Sequence, residues 1–248
     1  FYFLIWKWRT NVIQRNIKTQ NLVYKTNLLS LEQQSLNASM NRHFIFNALN
    51  SIQYFINTSD KLSANKYLSS FAKLIRKNLD SSLSENNLVS LSDELERLEL
   101  YLSLEHMRFK TKFDYQISID PEIQTESIKV PAMFMQPFVE NSIWHGILPK
   151  NTKGSITISV SYKNSQDLFF TIQDNGIGVD NSLKKKGIHQ HNSKGLNITS
   201  NRIEVLRRLT KKNFEIIGPK QLNDSSGVSI GTKVEIILRR KSVEKVVN

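Results

Sequence analysis

The chain has 248 residues, of which 39% are hydrophobic and 23% charged, so it can form one large or two small globular domains. It contains no cysteine, which excludes a disulfide framework, a thiolate metal site and a cysteine nucleophile. The net charge of +12 favours an anionic partner: a nucleotide, a nucleic acid, an acidic protein or an anionic membrane surface. A generally lysine-rich surface explains that charge equally well.

The chain opens with a short apolar run that turns basic. Aromatic and aliphatic residues occupy positions 1–6, and Lys7 and Arg9 follow. A bilayer span takes about 20 apolar residues, but aromatic residues followed by basic ones are typical of the cytoplasmic end of a spanning helix. We therefore expect residues 1–6 to be the end of a truncated transmembrane helix rather than an apolar plug on a domain surface.

The N-terminal half lacks the usual helix breakers, since no proline precedes Pro121 and no glycine precedes Gly146. We predict a first helix over residues 7–57. Within it, leucines recur every seven residues as in a coiled-coil seam, at Leu22, Leu29 and Leu36. The next position in this register is His43.

His43 lies on a polar ridge of the predicted helix. The apolar side of the helix has four members: Phe44, Ala48, Ile52 and Phe55. At 100° per residue, a separate polar ridge has four others: His43, Asn47, Asn50 and Tyr54. An exposed imidazole near its usual pKa of about 6.5 is mostly neutral at physiological pH and can act as a nucleophile. The alternative is an ordinary solvated or core histidine.

Two further helices are predicted before residue 110. A turn and cap at residues 57–60 begins the second. Its predicted apolar face has five members: Ala64, Leu68, Phe71, Leu74 and Ile75. The third begins at a cap signal in residues 90–94 and ends near Phe109. Antiparallel helices preceded by a coiled coil predict a dimeric bundle.

The C-terminal half mixes strands and helices. Apolar or alternating runs predict strands at residues 113–119, 155–162, 168–172, 214–217 and 232–238. Helices are predicted at residues 131–147, with Pro131 at the start, and at residues 196–209, and a basic loop at residues 180–194. We therefore predict an α+β fold: a helical region followed by an α/β sandwich, with a boundary near residues 111–125.

Four short segments in the second half have side chains suited to a nucleotide. Asn141 and His145 lie one helical turn apart, where the Asn141 amide oxygen can bind Mg²⁺ and His145 can contact phosphate. Asp174 directly follows a predicted strand, and its carboxylate can accept a hydrogen bond from the adenine amine. Gly176 and Gly178 let the backbone approach the ring.

The remaining two segments concern the phosphates and the last strand. Lys194, Gly195 and Leu196 open a predicted helix, whose N-terminal amides favour phosphate, and Thr232 begins the last strand. Each segment alone is a weak signal, because similar turns and solvated helical asparagines are common. Their order and spacing make the set specific. The sequence contains no Gly-x-x-x-x-Gly-Lys loop, which excludes a P-loop protein.

Together these segments resemble the nucleotide-binding boxes of the Bergerat-type (GHKL) ATPase fold that histidine kinases share with gyrase and MutL. Residues 36–52 resemble the phosphoacceptor box of the LytS-type sensor histidine kinases, and residues 100–109 and 136–146 continue the resemblance. The resemblance extends from about residue 30 to 240. It implies a two-component sensor kinase that phosphorylates itself on a histidine from ATP and passes the phosphoryl group to a response-regulator aspartate.

The resemblance also implies residue roles. His43 is the expected phosphoacceptor, Asn141 the ligand of Mg²⁺ and Asp174 the adenine-binding carboxylate. Three glycines are expected to shape the pocket: Gly176, Gly178 and Gly195. A homodimer, a response-regulator receiver domain as partner, and attachment to the cytoplasmic face of a bacterial inner membrane are implied as well.

The expected division of the chain follows from these assignments. The segments are a membrane-helix end (1–6), a coiled-coil linker helix (7–35), a helical dimerisation and phosphotransfer region (36–115), an ATP-binding domain (116–242) and a tail (243–248).

Two positions depart from the family pattern and keep an alternative open. Arg42 stands where proline usually precedes the phosphoacceptor, and Ser193 stands where a glycine is usual. Arg42 is expected to assist transfer by attracting phosphate, but both departures also fit a non-catalytic, nucleotide-binding dimeric scaffold. An ATP-driven clamp like gyrase is disfavoured, because Pro137 occupies the position of the water-activating glutamate. No direct nucleic-acid binding is expected, since net charge is the only feature that would favour such binding and no recognisable motif accompanies it.

Overall fold

Helices form the first part of the molecule and a mixed sheet the second. The computed structural model describes residues 2–3, 6–15, 44–82, 88–110, 112–163, 167–179 and 214–239. Residues 6–15 are helical, and the helices after them are α1 (residues 44–57), α2 (Lys61–Ser82), α3 (Leu91–Phe109) and α4 (Gln136–Asn141), which continues as a π-helix (Ser142–Ile147). The strands are β1 (Leu88–Ser90), β2 (Phe113–Ile119), β3 (Lys129–Pro131), β4 (Gly154–Lys163), β5 (Asp167–Asp174), β6 (Phe214–Asn223) and β7 (Ser229–Leu238).

Five strands form the main sheet in the order β2-β4-β5-β7-β6, while β1 and β3 pair separately. Strands β2 and β4 are parallel, and the other neighbours are antiparallel. The predicted α+β class is confirmed. The last two strands are longer than predicted, because β6 and β7 pair as a hairpin as far as Asn223 and Ser229. The predicted coiled-coil seam, basic loop and helix at residues 196–209 lie outside the described residues.

One hydrophobic core joins the helices to the sheet. Alternate residues of the two central strands are buried: Ile156, Ile158, Val160, Phe170 and Ile172. The same core includes Phe55 of α1 together with Tyr67 and Leu74 of α2. Helix α3 contacts both α2 and β2, so it packs against elements on each side of residue 115. The division of the chain at that residue stays a prediction.

The turn between α1 and α2 forms where the sequence predicts it. The Asp60 carboxylate accepts a hydrogen bond from the Ser63 backbone N–H at 3.0 Å, which caps α2. Leu68 of the predicted apolar face is 50% exposed, whereas Tyr67 is fully buried. The buried side of α2 has helical spacing through Ala64, Tyr67 and Leu74, with Phe71 half-buried among them.

Helix α3 confirms its predicted bounds. Its N-cap is Ser90, whose hydroxyl oxygen accepts a hydrogen bond from the Asp93 backbone N–H at 3.0 Å and donates one to the Asp93 carboxylate at 2.7 Å. The Ser90 hydroxyl thus satisfies one of the first-turn backbone N–H groups, which have no partner within the helix, and the Asp93 carboxylate holds that hydroxyl in place.

The predicted helix at residues 131–147 begins later than expected. Pro131 ends β3, where it pairs opposite Leu88, and α4 begins only at Gln136. The chain turns between them, with Met133 at a φ of 60°. The start at Pro131 was therefore wrong, because the proline that occupies the first helical turn is Pro137.

A buried carboxylate on α3 explains this turn. Glu94 is 1% exposed, and it accepts hydrogen bonds from the backbone N–H of Met133 at 2.8 Å and of Met135 at 3.5 Å. The Arg97 guanidinium, itself 3% exposed, pairs with the same carboxylate at 2.6 Å. The pair neutralises a buried charge and supplies acceptors for amides that no strand or helix satisfies.

We predict that Glu94→Ala lowers the free energy of unfolding by about 3–5 kcal/mol, because it leaves the Arg97 charge and the Met133 amide buried without their partner. Urea unfolding followed by circular dichroism measures the change.

The matched control is Glu96→Ala on the same helix. Glu96 pairs with Lys73 and Lys77, but its side chain is 43% exposed, so we expect a loss of at most about 1 kcal/mol. Equal losses in the two variants would contradict the role assigned to Glu94.

Candidate nucleotide-binding site

The end of β5 brings two predicted site residues together. In the sheet register, Asp174 lies opposite Thr232 of β7, although 57 residues separate them in the sequence. The neighbouring Gly231 has a φ of 147°, and a Cβ there would lie 1.9 Å from the Asp174 carbonyl oxygen. Glycine is therefore required for β7 to pass this close to β5.

Asp174 is a buried acceptor, with 3% of its surface exposed. The Ser142 hydroxyl donates to one carboxylate oxygen at 2.8 Å, and the Gly176 N–H donates to the other at 2.9 Å. Burial raises the pKa of Asp174, and the hydrogen bonds from Ser142, Gly176 and Thr232 act against that rise. The arrangement holds a carboxylate where water cannot compete for it.

Close backbone contact joins the loop after β5 to the π-helix. The Ile177 N–H donates to the Gly146 carbonyl at 2.9 Å. A Cβ on Gly176 would lie 2.4 Å from the Gly146 carbonyl carbon, and a Cβ on Gly146 would lie 2.9 Å from the Asp174 carboxylate. Gly178 has a φ of 80°, a conformation that favours glycine. The predicted shaping role of Gly176 and Gly178 thus has a steric basis at this end of the sheet.

Asn141 and His145 lie on adjoining helical segments. Asn141 ends α4, and His145 is in the π-helix, where the Leu148 N–H bonds to the Ile143 carbonyl five residues back at 2.9 Å. Because a π-turn holds more residues than an α-turn, the two side chains are less than one full turn apart. Both are half-buried.

Ser142 and Gly146 are site residues that the sequence argument did not assign. Both stand within the segment that suggested the site, next to Asn141 and His145 respectively. A serine and a glycine beside stronger candidates offer little signal by themselves. Only the fold brings them to Asp174, a residue 32 positions from Ser142.

Five predicted site residues lie outside the described residues: Arg42, His43, Lys194, Gly195 and Leu196. Their roles stay predictions. The structure does describe the rest of the polar ridge and the apolar side of α1. Tyr54 is exposed, whereas Ala48 and Phe55 are buried, so the predicted two-sided character of this helix is confirmed over residues 44–57.

Known proteins resemble this chain over most of its length. Residues 31–113 match the model of the histidine kinase family. The sensor protein LytS of Oceanobacillus iheyensis is 28% identical over 223 residues, which cover 88% of this chain and 36% of that protein. Residues 31–113 therefore belong to the histidine kinase family. LytS of Staphylococcus haemolyticus is 31% identical, with 84% and 34% covered, and sensor histidine kinase BtsS of Escherichia coli is 35% identical, with 61% and 26% covered.

The resemblance to LytS-type sensor kinases is thereby confirmed. The chain spans about a third of the length of the LytS proteins it matches. The described sheet, together with α4 and the π-helix, lies almost entirely beyond the residues that match the family model.

A buried ionisable cluster lies next to the site. Glu140 precedes Asn141 and accepts a hydrogen bond from the Gln136 side chain at 2.7 Å. Glu105 of α3 is 1% exposed, and its carboxylate lies 3.7 Å from the Arg108 guanidinium. Burial raises the pKa of Glu105 to about 7; Glu140 adds to the rise, whereas Arg108 opposes it.

We predict that Gly176→Ala abolishes nucleotide binding, because the added Cβ would overlap the Gly146 backbone and force the loop away from the π-helix. Calorimetric titration with an ATP analogue measures the affinity. Gly227→Ala is the control, since a Cβ there meets nothing within 4 Å; Gly227 has a φ of 82°, so this change tests backbone strain without a steric overlap. Loss of binding in the control alone would contradict the steric argument.

A pH dependence follows from Glu105. Between pH 4.5 and about 7 the folded protein keeps a proton that an ordinary glutamate in the unfolded chain has released, so wild-type stability falls as pH rises. We expect the stability of Glu105→Gln relative to wild type to increase through this window, by at most about 3 kcal/mol, and to level off above it.

Urea unfolding at a series of pH values gives this difference. The exposed Glu122 supplies the control, Glu122→Gln, because water solvates its carboxylate in both states. A Glu105→Gln profile parallel to that of wild type would refute the assignment.

Proposed function

We propose that this chain binds ATP at the Asp174 end of the sheet and transfers the terminal phosphoryl group to His43. The observation that carries the proposal is the buried Asp174 carboxylate, held by Ser142 directly beside Asn141. In the proposed pathway a response-regulator aspartate then accepts the phosphoryl group. Membership of the histidine kinase family supports this assignment.

The described residues fit a purine nucleotide. The Asp174 carboxylate accepts hydrogen bonds from Ser142, Gly176 and Thr232, and since a carboxylate can accept about four, it retains capacity for an amine such as that of adenine. Asn141 offers the kind of oxygen that Mg²⁺ accepts, and His145 follows within a turn. When bound, Mg²⁺ and ATP supply charge neutralisation and the phosphoryl group. Lys194, Gly195 and Leu196 are proposed to contact the phosphates. Thr232, which lies opposite Asp174, is proposed to contact the adenine ring.

His43 is the proposed nucleophile. Its neutral ring nitrogen forms a bond to the γ-phosphorus while the bond from that phosphorus to the β–γ bridging oxygen breaks, which releases ADP; the ring then loses a proton to water. The neighbouring Arg42 charge disfavours protonation of the imidazole and so keeps the nucleophile neutral. Adjacent side chains diverge on a helix, so the expected contribution of Arg42 is small.

Two variants separate binding from transfer. In the presence of γ-labelled ATP and Mg²⁺, wild type should acquire an acid-labile label. His43→Gln should lose the label yet bind an ATP analogue with unchanged affinity, because only the nucleophile is removed. Asp174→Ala should lose both, since the adenine contact disappears. Arg42→Ala should slow labelling by about tenfold or less, as expected for an exposed charge.

Labelling of His43→Gln at the wild-type rate would refute the phosphoacceptor assignment. Unchanged nucleotide affinity in Asp174→Ala would refute the adenine contact. A wild-type chain that binds the nucleotide but never labels would favour the non-catalytic scaffold.

We also propose a homodimer through α1 and α2. Sensor histidine kinases generally dimerise, and each of these helices has an exposed apolar stripe in the single chain. On α1 the stripe consists of Ile45, Leu49 and Ile56, and on α2 it includes Leu68 and Leu79. Burial of such side chains contributes about 1.5–3 kcal/mol each, which can offset the cost of association.

We expect Leu49→Lys combined with Leu68→Lys to shift the chain from dimer to monomer in sedimentation velocity experiments, because both charges would be buried at the interface. Val228→Lys is the control, an exposed apolar residue beside the β6–β7 hairpin. A wild-type chain that remains monomeric at high micromolar concentration would contradict the proposal.

The proposed location is the cytoplasmic face of a bacterial inner membrane, with the N-terminal residues nearest the bilayer. The aromatic side chains of Tyr2, Phe3, Trp6 and Trp8 are exposed. The basic residues Lys7 and Arg9 each follow one of the tryptophans, as at the cytoplasmic end of a membrane-spanning helix. Within the described residues, no helix has both the length and the hydropathy to cross a membrane.

A further inference from the structure

Aromatic side chains form a path from α1 towards the site. Phe44 follows His43 in the sequence and is the first described residue of α1. Its ring centroid lies 5.7 Å from that of Phe71 on α2 and 5.7 Å from that of Tyr101 on α3. Phe44 thus packs between α2 and α3 and ties its own helix to α3.

Tyr101 continues this path from α3 to the π-helix. It is 2% exposed, and its hydroxyl oxygen accepts a hydrogen bond from the Trp144 indole. A tyrosine can do both, because its ring packs against Phe44 while its hydroxyl satisfies a polar partner. Trp144 stands in the π-helix between Asn141 and His145.

The position of Trp144 is itself constrained from α3. Its ring meets that of Phe109 edge to face, with centroids 5.7 Å apart, and the Arg108 guanidinium lies 5.2 Å from its centroid. Tyr101, Arg108 and Phe109, all on α3, therefore hold the indole. Because the indole belongs to the turn that joins Asn141 to His145, its position determines how those side chains face the nucleotide.

We propose that Tyr101 is a positioning residue for phosphoryl transfer, which fixes the Asn141–His145 turn relative to α1, the helix described from the residue after His43, through Trp144 and Phe44. This inference rests on the proposed function. Transfer requires the attacking nitrogen to be in line with the breaking bond, and a misplacement of about 1 Å can cost orders of magnitude in rate. Nucleotide binding has no such requirement for α1.

Tyr101→Phe isolates the hydroxyl, because the ring that packs on Phe44 remains. With saturating ATP we expect His43 to label about threefold to tenfold more slowly, as the loss of one buried hydrogen bond implies, while the affinity for an ATP analogue changes less than about twofold. Trp144→Phe should slow labelling similarly. The double variant should be no slower than the slower single variant, since both remove the same interaction.

Tyr115→Phe is the matched control. The Tyr115 hydroxyl bonds to Glu99 of α3 at 2.8 Å, so this change also removes a tyrosine contact to α3, but away from Phe44 and Trp144. It should label at the wild-type rate. Thermal unfolding of each variant establishes that it is folded at the assay temperature.

Three results would overturn the inference: wild-type labelling in Tyr101→Phe, a loss of labelling matched by an equal loss of nucleotide affinity, or an equal slowing in Tyr115→Phe. In each case the proposed function would stand if wild type labels on His43.

Fluorescence tests the physical link without activity. The chain has three tryptophans, so Trp6→Phe with Trp8→Phe leaves Trp144 as the reporter. In that background Phe44→Leu should shift the Trp144 emission maximum, because Tyr101 contacts both side chains. Tyr101→Phe should abolish that shift. If wild type fails to label, the proposed function fails, and a shift that persists in Tyr101→Phe independently overturns the coupling.

Discussion

The Glu94 carboxylate is the interaction on which the arrangement of this molecule depends. It lies buried on α3 and accepts the amides of Met133 and Met135, so it decides where the chain leaves β3 and where α4 begins. A free carboxylate at such a depth would be strongly destabilising, and Arg97 three residues later compensates its charge. Because Asn141 is the last residue of α4, the contact that sets where α4 begins also sets the location of Asn141.

The second constraint is the close approach of two backbones. The loop after β5 reaches the π-helix only because neither Gly146 nor Gly176 has a side chain, and the Ile177 amide then bonds to the Gly146 carbonyl. Asp174 is enclosed as a result. Its buried position costs solvation, and its contacts with Ser142 and Gly176 offset part of that cost. Burial of Asp174 thus lowers the stability of the fold but leaves a carboxylate fixed in position as a hydrogen-bond acceptor.

Helix α3 packs between the helices α1 and α2 on one side and the sheet on the other. Its first turn holds Glu94, which bonds to the segment before α4. Further along, Tyr101 bonds to Trp144 of the π-helix, and Glu105 is buried where Glu140 of α4 helps to raise its pKa. Buried polar groups of this kind are costly unless each finds a partner, so they restrict how the elements can pack. That restriction suits the proposed transfer, in which a nucleotide must face one particular side chain.

The local elements of this protein followed from its sequence. The bounds of α3, the cap at Asp60 and the strand at residues 113–119 all depend on side chains within a few residues of the backbone they satisfy. The grouping of Asn141 with Asp174 came from motif order, and the recognition of the family came from the same motifs. The start of α4, the exposure of Leu68, and the roles of Ser142, Gly146, Tyr101 and Glu105 did not follow. Each depends on a partner far away in the chain, such as Glu94 for Met133 or Asp174 for Ser142, and only tertiary packing brings those partners within hydrogen-bonding distance.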